Sequence, residues 1–311
     1  MKAVRFHEYG TPDVLTYEDV DLPIPAAGQV RIRVAGTSFN SVDGNIRAGF
    51  MQEPMPLTLP HTPGLDVAGA VDEVGDGVTG WAIGDEVVGF LPFTVDGAAA
   101  EYVLASADSL ALAPKSIPLA DAAALPLVGL TAWQALFVHA ELKAGQRILI
   151  TGATGAVGGY AVQLAAAAGA HVIASASEAS ADQARQHGAH EVVGQIAADA
   201  TDVVVEPVDV LLNLAPIDPE AFVALTANVR DGGVIVNTTV WMPAPTDEAR
   251  GVRGIDMYVA SEPEQLAGLV ERVDRGELTV DVARRVPLRE LATVHAAAAD
   301  GTLRGKVVIV P

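Results

Sequence analysis

Apolar positions along the chain fall into two regimes. Up to about residue 120 they form short runs rich in β-branched side chains, at 2–6, 30–35, 67–74, 86–90 and 101–104. Turn signals separate the runs: Asp76-Gly77, Ile83-Gly84-Asp85, Pro92 and Asp96-Gly97. Short strands punctuated in this way predict an all-β domain, a partly closed barrel. Residues 117–140 turn helical, with an Ala/Leu run after Asp121 and then Thr131-Ala132-Trp133-Gln134-Ala135-Leu136. From Arg147 strands alternate with helices. Strands are predicted at 147–151, 171–175, 191–193, 208–214 and 233–238, the pattern of a doubly wound parallel sheet. An amphipathic helix follows at 262–275, and 305–310 reads as a strand.

The join between the first of those strands and its helix carries the most chemistry. Residues 147–159 read RILITGATGAVGG, with Gly152, Gly155 and Gly158 three apart. A strand that ends in such a turn and starts a helix at once aims free N–H groups and a helix dipole at one spot, which suits a pyrophosphate. Glycine lets the backbone approach the phosphates and lets the helix pack close to the strand. A plain strand-to-helix turn uses the same residues, but here a second strand follows about 20 residues on, as a dinucleotide fold requires. Gly152, Ala153, Gly155, Ala156 and Val157 are the expected cofactor-binding positions of the turn. Leu214, Ala215 and the run Thr238-Thr239-Val240 follow the carboxyl ends of later strands, where doubly wound folds bind ligands.

In an NAD site, an Asp or Glu at the end of the second strand holds the ribose 2′-hydroxyl. This strand ends in Ser175-Ala176-Ser177, and Glu178 comes later. Hydroxyls leave room for a 2′-phosphate and can hydrogen-bond it, so NADPH is the expected cofactor, with Ser175 and Ser177 at the phosphate. Arg185 either adds positive charge there or lies on a solvated helix face.

Bulk numbers narrow the setting. A chain of 311 residues is expected to form two domains. Its 50% hydrophobic content is spread evenly, and no uncharged run reaches the roughly 18–20 residues of a membrane helix. The first residues run straight into a strand-like pattern, with no secretory signal. Cysteine is absent, which excludes disulfides and thiolate zinc sites. The expected compartment is the cytoplasm. A net charge of −20 opposes binding to nucleic acid or anionic membranes.

Further segments carry a family resemblance: Ser38-Phe39-Asn40-Ser41-Val42-Asp43, Pro63-Gly64-Leu65-Asp66-Val67-Ala68-Gly69, Gly84-Asp85-Glu86-Val87, Leu125-Pro126-Leu127-Val128-Gly129-Leu130-Thr131-Ala132 and Arg304-Gly305-Lys306-Val307-Val308. With the glycine turn, they run in family order over nearly the whole chain. The sequence resembles the zinc-free quinone oxidoreductase branch of the medium-chain dehydrogenase/reductase superfamily. The resemblance implies an α/β protein with a GroES-like, partly open β-barrel catalytic domain (1–122 and 260–311) and a Rossmann domain that binds NADP(H) (123–259). It also implies an active site in the cleft between them and a homodimer paired through an edge strand near 252–259. In zinc-dependent relatives a Cys stands at the position of Asn40 and a His at that of Leu65. Neither residue here replaces its metal-binding counterpart, so no metal site is expected. Of the seven histidines, His187 and His190 flank a Gly188-Ala189 break, and His61 sits in a Pro-flanked loop that lines a pocket or is purely structural.

Without zinc, the cofactor carries the reaction. The expected acceptor is a small quinone or α,β-unsaturated carbonyl, which spreads the incoming charge onto a carbonyl oxygen. By resemblance, Asn40 contacts the nicotinamide side of the cleft and Thr131 the nicotinamide amide. Asp43 either orients a neighbour or serves the turn. Relatives often carry a tyrosine where this chain has Asn45, which donates a hydrogen bond but no proton. An enoyl reductase for carrier- or coenzyme A-bound acyl chains, and a non-catalytic NADPH-binding sensor, are the competing readings.

Overall fold

The structure is a computed structural model describing residues 1–53, 55–196, 200–239 and 241–311. The chain divides into two compact units, Met1–Leu127 with Ser261–Pro311, and Val128–Ala260.

The first unit is built on β3 and its neighbours. A two-stranded antiparallel ribbon pairs β1 (Lys2–Phe6) with β2 (Leu15–Asp19). The main sheet contains β3 (Gln29–Ser38), β4 (Asp66–Val74), β5 (Glu86–Phe90), β6 (Tyr102–Ser106) and β7 (Leu110–Leu112). Helix α1 (Ser41–Ala48) follows β3 directly. Val30, Ile32 and Val34 alternate inward on β3 and pack with Val67, Val71, Val87 and Val103, so period-2 patterning becomes one apolar face.

The second unit holds α2 (Pro126–Trp133) from Val128 onward, continued by a π-helical segment Gln134–His139. Then come β8 (Arg147–Thr151), α3 (Ala156–Ala167), β9 (His171–Ser175), α4 (Ala181–Gln186), β10 (Glu191–Val193), β11 (Val208–Asn213), α5 (Pro219–Ala224), β12 (Val229–Asn237) and β13 (Arg253–Asp256). Its six strands are all parallel, in the order β10-β9-β8-β11-β12-β13. Ile148, Leu149 and Ile150 are fully buried in succession, as expected of a strand covered on both faces. This is a Rossmann-type sheet.

The chain then returns to the first unit as α6 (Pro263–Asp274), β14 (Arg284–Pro287), α7 (Leu291–Ala299) and β15 (Val307–Val310), and β15 inserts between β14 and β3.

Several elements depart from the patterns in the sequence. β2, β7 and β14 have too few inward apolar residues, or too few residues, to show alternation. β12 starts at Val229, four residues before the expected 233. Asp231-Gly232-Gly233 reads as a turn, but here it forms an irregularity, where the register against β11 shifts between Val208 and Val210. No helix among the described residues is long and apolar enough to cross a membrane.

Candidate active site

In the first unit, Asn40, Asp43 and Asn45 lie together around the start of α1. Asn40 precedes the helix in extended conformation, and its N–H donates to Asp43 Oδ2 at 2.8 Å. The other Asp43 oxygen accepts from Gly64 N at 3.2 Å, so Asp43 closes the first turn onto the loop before β4. The Asn40 side chain is engaged at both ends. Its Nδ2 donates to Asp66 Oδ2 at 2.8 Å, and its Oδ1 accepts from Lys306 Nζ at 2.6 Å. Asn45 lies further along α1 and is half-buried; its side-chain amide makes no hydrogen bond among the described residues.

Asp66 and Lys306 escaped the sequence reading as site residues. Asp66 is wholly buried at the start of β4. Its carboxylate accepts from Ser38 Oγ at 2.5 Å, from Asn40, and from Leu127 N at 2.7 Å in the first turn of α2. An anion at a helix N-terminus is favoured by the exposed N–H groups and the helix dipole. Lys306 Nζ also donates to Phe39 O and stands 3.6 Å from Asp66 Oδ2. Burial pushes Lys306 down, and the carboxylates of Asp66 and Asp43 pull it back up. Burial, with the Asp66 charge adding to it, raises Asp43 to about 7 against the pull of its two backbone N–H donors. Two carboxylates and one ammonium thus share a buried site. Such groups are stable only when paired and hydrogen-bonded, as these are.

His61 is buried, its backbone pairs with Phe6, and its Nδ1 stands 3.7 Å from Asp96 Oδ1. Burial lowers it, and Asp96 opposes that. His187 and His190 flank a glycine with φ +104, so no continuous helix face joins them. No group of three or more potential ligands that could hold a metal ion occurs among the described residues.

In the second unit, the glycine turn joins β8 to α3. Gly152 has a φ of +63, a left-handed conformation that favours glycine. A Cβ on Gly158 would lie 2.2 Å from Gly152 O and 2.6 Å from the carbonyl carbon of Ala153. The helix therefore sits directly against the turn. Around Gly152 the backbone of Leu214 and the side chain of Ala215 are close; a Cβ there would meet them at 3.2–3.3 Å. Gly155 caps α3 without a side-chain hydrogen bond. The N–H groups of Ala156 and Val157 are then left for a ligand, and the cradle fits a pyrophosphate.

At the end of β9, Ser175 is buried and donates to Gly194 O at 3.0 Å. Ser177 Oγ meets Ser180 Oγ at 2.8 Å, and Thr154 Oγ1 of the glycine turn donates to Ser180 Oγ at 3.3 Å. Arg185 is exposed and pairs with Asp182 at 3.0 Å. Thr131 is buried within α2. Thr238 lines a cavity of about 150 Å³ at the carboxyl ends of β12 and β13, with Asn237, Thr239, Trp241, Asp256 and Tyr258. Val240 lies outside the described residues. Asn213, Asn237 and Asp256 were also missed. Each is the last residue of its strand, and that single polar position is the only signal the sequence offers.

Comparison with known proteins matches this architecture. The alcohol dehydrogenase GroES-like domain family matches residues 26–115, and the zinc-binding dehydrogenase family residues 187–309. The chloroplast envelope quinone oxidoreductase homolog of Arabidopsis thaliana is 31% identical over 326 residues, covering 100% of this chain and 98% of the relative. The solved structure of the quinone oxidoreductase from Coxiella burnetii superposes with a TM-score of 0.89 at 29% identity, covering 100% of this chain and 99% of that one. That of an NAD-dependent alcohol dehydrogenase gives 0.91 at 28% identity, covering both chains fully. The chain belongs to the quinone oxidoreductase branch of the medium-chain dehydrogenase/reductase superfamily, oxidoreductases that use a nicotinamide dinucleotide and act on small molecules.

Proposed function

We propose that this protein transfers hydride from NADPH to a small quinone or α,β-unsaturated carbonyl acceptor without a metal ion. The observation that carries the reading is the glycine turn, whose N-cap Gly155 has no side chain to occupy the first N–H groups of α3, beside a strand end that holds hydroxyls instead of a carboxylate. Gly152, Ala153, Gly155, Ala156 and Val157 cradle the pyrophosphate. Leu214, Ala215, Thr131 and Thr238 serve the nicotinamide half. Ser177, joined by Ser180 and Thr154, takes the 2′-phosphate. Ser175 spends its hydroxyl on Gly194 and supports the strand end instead, and Arg185 adds charge once released from Asp182.

Bound NADPH supplies the hydride. The protein positions the acceptor and stabilises the oxygen on which charge develops. Asn45 is the donor we assign to that oxygen, because its amide is uncommitted. It gives no proton, so water protonates the product. Asn40 has both ends of its amide engaged, so its role in this reading, with Asp43, is to hold α1 in place. The first unit is the catalytic domain and the second the dinucleotide-binding domain. β13 is the edge strand of the parallel sheet among the described residues, which suits a homodimer built by edge pairing of two copies.

The test follows dinucleotide oxidation at 340 nm against 1,4-benzoquinone, 9,10-phenanthrenequinone, 2-hexenal and crotonyl-coenzyme A, with NADPH and NADH in parallel. Turnover of quinones or the enal with NADPH is expected. Preference for the thioester assigns enoyl reduction instead. Tight NADPH binding with no turnover of any acceptor overturns the enzymatic reading.

A further inference from the structure

Four polar residues lie side by side across the parallel sheet. Thr151 of β8 is in register with Asn213 of β11, Asn213 with Asn237 of β12, and Asn237 with Asp256 of β13. Thr151, Asn213 and Asn237 are no more than 1% exposed. They form one chain of hydrogen bonds running in one direction. Thr151 Oγ1 donates to Asn213 Oδ1 at 2.5 Å, Asn213 Nδ2 to Asn237 Oδ1 at 2.9 Å, and Asn237 Nδ2 to Asp256 Oδ1 at 2.8 Å. The direction is set by the last member, because an ionised carboxylate only accepts.

Two residues earlier on the same strands, and so on the same face of the sheet, stand Leu149, Leu211 and Ile235, all buried in one apolar cluster. Aliphatic residues would have continued that packing without the desolvation cost of amides. The polar row instead binds the loops that leave the strand ends. Leu214 N donates to Thr151 Oγ1 at 3.1 Å. Thr239 N donates to Asn237 Oδ1 at 3.1 Å, and Asn237 Nδ2 donates to Met242 O at 2.5 Å. Ala244 N donates to Asp256 Oδ1 at 2.9 Å. The loop after β12 carries Thr239 and Trp241 of the cavity wall, and it is pinned to the row at three points.

We propose that Asn237 and Asp256 are positioning residues for dinucleotide binding, holding the loop after β12 at the height that receives the nicotinamide half. The proposal rests on the dinucleotide-binding reading given above. It does not depend on the acceptor.

The test exchanges the amide and the carboxylate of the pair. Asn237→Asp sets two carboxylates against each other and removes the donors to Met242 O and Asp256. Adding Asp256→Asn restores one hydrogen bond in the opposite sense, while the carboxylate introduced on β12 can still accept from Asn213 and Thr239. Binding of NADPH and of adenosine 2′,5′-bisphosphate, which carries only the adenosine half, is measured by calorimetry, and exchange of the Thr239 and Ala244 amides by mass spectrometry. Asn237→Asp is expected to weaken NADPH at least tenfold, leave the fragment within twofold, and speed exchange at both amides. The double variant returns NADPH to within about threefold of wild type. Asp256→Ala, at an exposed position where folding is not at risk, weakens NADPH but not the fragment. Equal weakening of NADPH and fragment, or no recovery in the double variant, overturns the proposal. Wild-type protein that binds the fragment and neither NADPH nor NADH overturns the functional reading and the proposal with it.

Discussion

The ammonium of Lys306 and the side-chain amide of Asn40, 266 positions apart, share a buried hydrogen bond of 2.6 Å. β15 brings Lys306 beside β3, and Asp66 completes the group from β4. Removing one partner of a buried ion pair leaves an uncompensated charge and costs about 3–5 kcal/mol. Lys306→Met should destabilise the first unit by that order, read as a lower urea midpoint. Lys306→Met with Asp66→Asn should recover most of the loss. A single variant with a wild-type midpoint would show that the pair contributes nothing to stability.

Asp43 and His295 give opposite pH slopes. Asp43 titrates near 7 in the fold and near 3.8 when unfolded, so the folded state holds an extra proton between those values. Its contribution is complete below 3.8 and is lost as pH rises through 7. His295 of α7 is buried against Phe39, with rings 4.8 Å apart, and burial lowers it to about 3. Between 6.5 and 3 the unfolded state binds the extra proton, so stability falls as pH drops. The stability difference between wild type and Asp43→Asn should shrink from pH 4 to 7. The difference between wild type and His295→Phe should grow from pH 3 to 6.5. Each amounts to a few kcal/mol by unfolding at stepped pH, on the order of 1.4 per shifted unit. Flat differences would mean that these groups titrate normally.

Gly158 leaves no room for a side chain. Gly158→Ala places a methyl group within 2.2 Å of Gly152 O, and both neighbours are backbone. The helix must move away from the turn, which costs at least about 1–3 kcal/mol. NADPH binding should weaken tenfold or more by calorimetry, while a substitution at exposed Gly77, which a Cβ would not crowd, leaves it unchanged. Wild-type affinity in Gly158→Ala would remove the glycine turn from the site.

Ser177 stands beside Ser180 at the end of β9. Ser177→Asp puts a carboxylate where a 2′-hydroxyl is bound in NAD sites and where a 2′-phosphate is repelled. The ratio of kcat/KM for NADPH to that for NADH should fall at least a hundredfold. An unchanged ratio would move the phosphate away from this strand end.

Much of this architecture was visible before folding. The strands at Arg147–Thr151, His171–Ser175 and Glu191–Val193 follow from apolar runs bounded by turn residues, and the glycine spacing marks the turn itself. Local signals stop there. Asp66 and Lys306 stand 240 positions apart; each sits in a segment that carries the family resemblance, but nothing local shows that the two segments meet. Asn213 and Asn237 each end an apolar strand, and only the parallel register shows that they adjoin. Ser175 and Ser177 look alike in sequence, yet Ser175 is the last residue of β9 and gives its hydroxyl to Gly194 O, while Ser177 lies past the strand end and meets Ser180.

The threading of the first unit has a consequence for how the chain matures. Val128–Ala260 is continuous and contains every strand of its own sheet, so it can fold as it leaves the ribosome. The barrel cannot, because β15, which lies between β14 and β3, is translated after the whole Rossmann unit. Until Lys306 arrives, Asp66 and Asp43 face each other without their ammonium. The ammonium that neutralises this buried pair is thus supplied only after the whole second unit has been made.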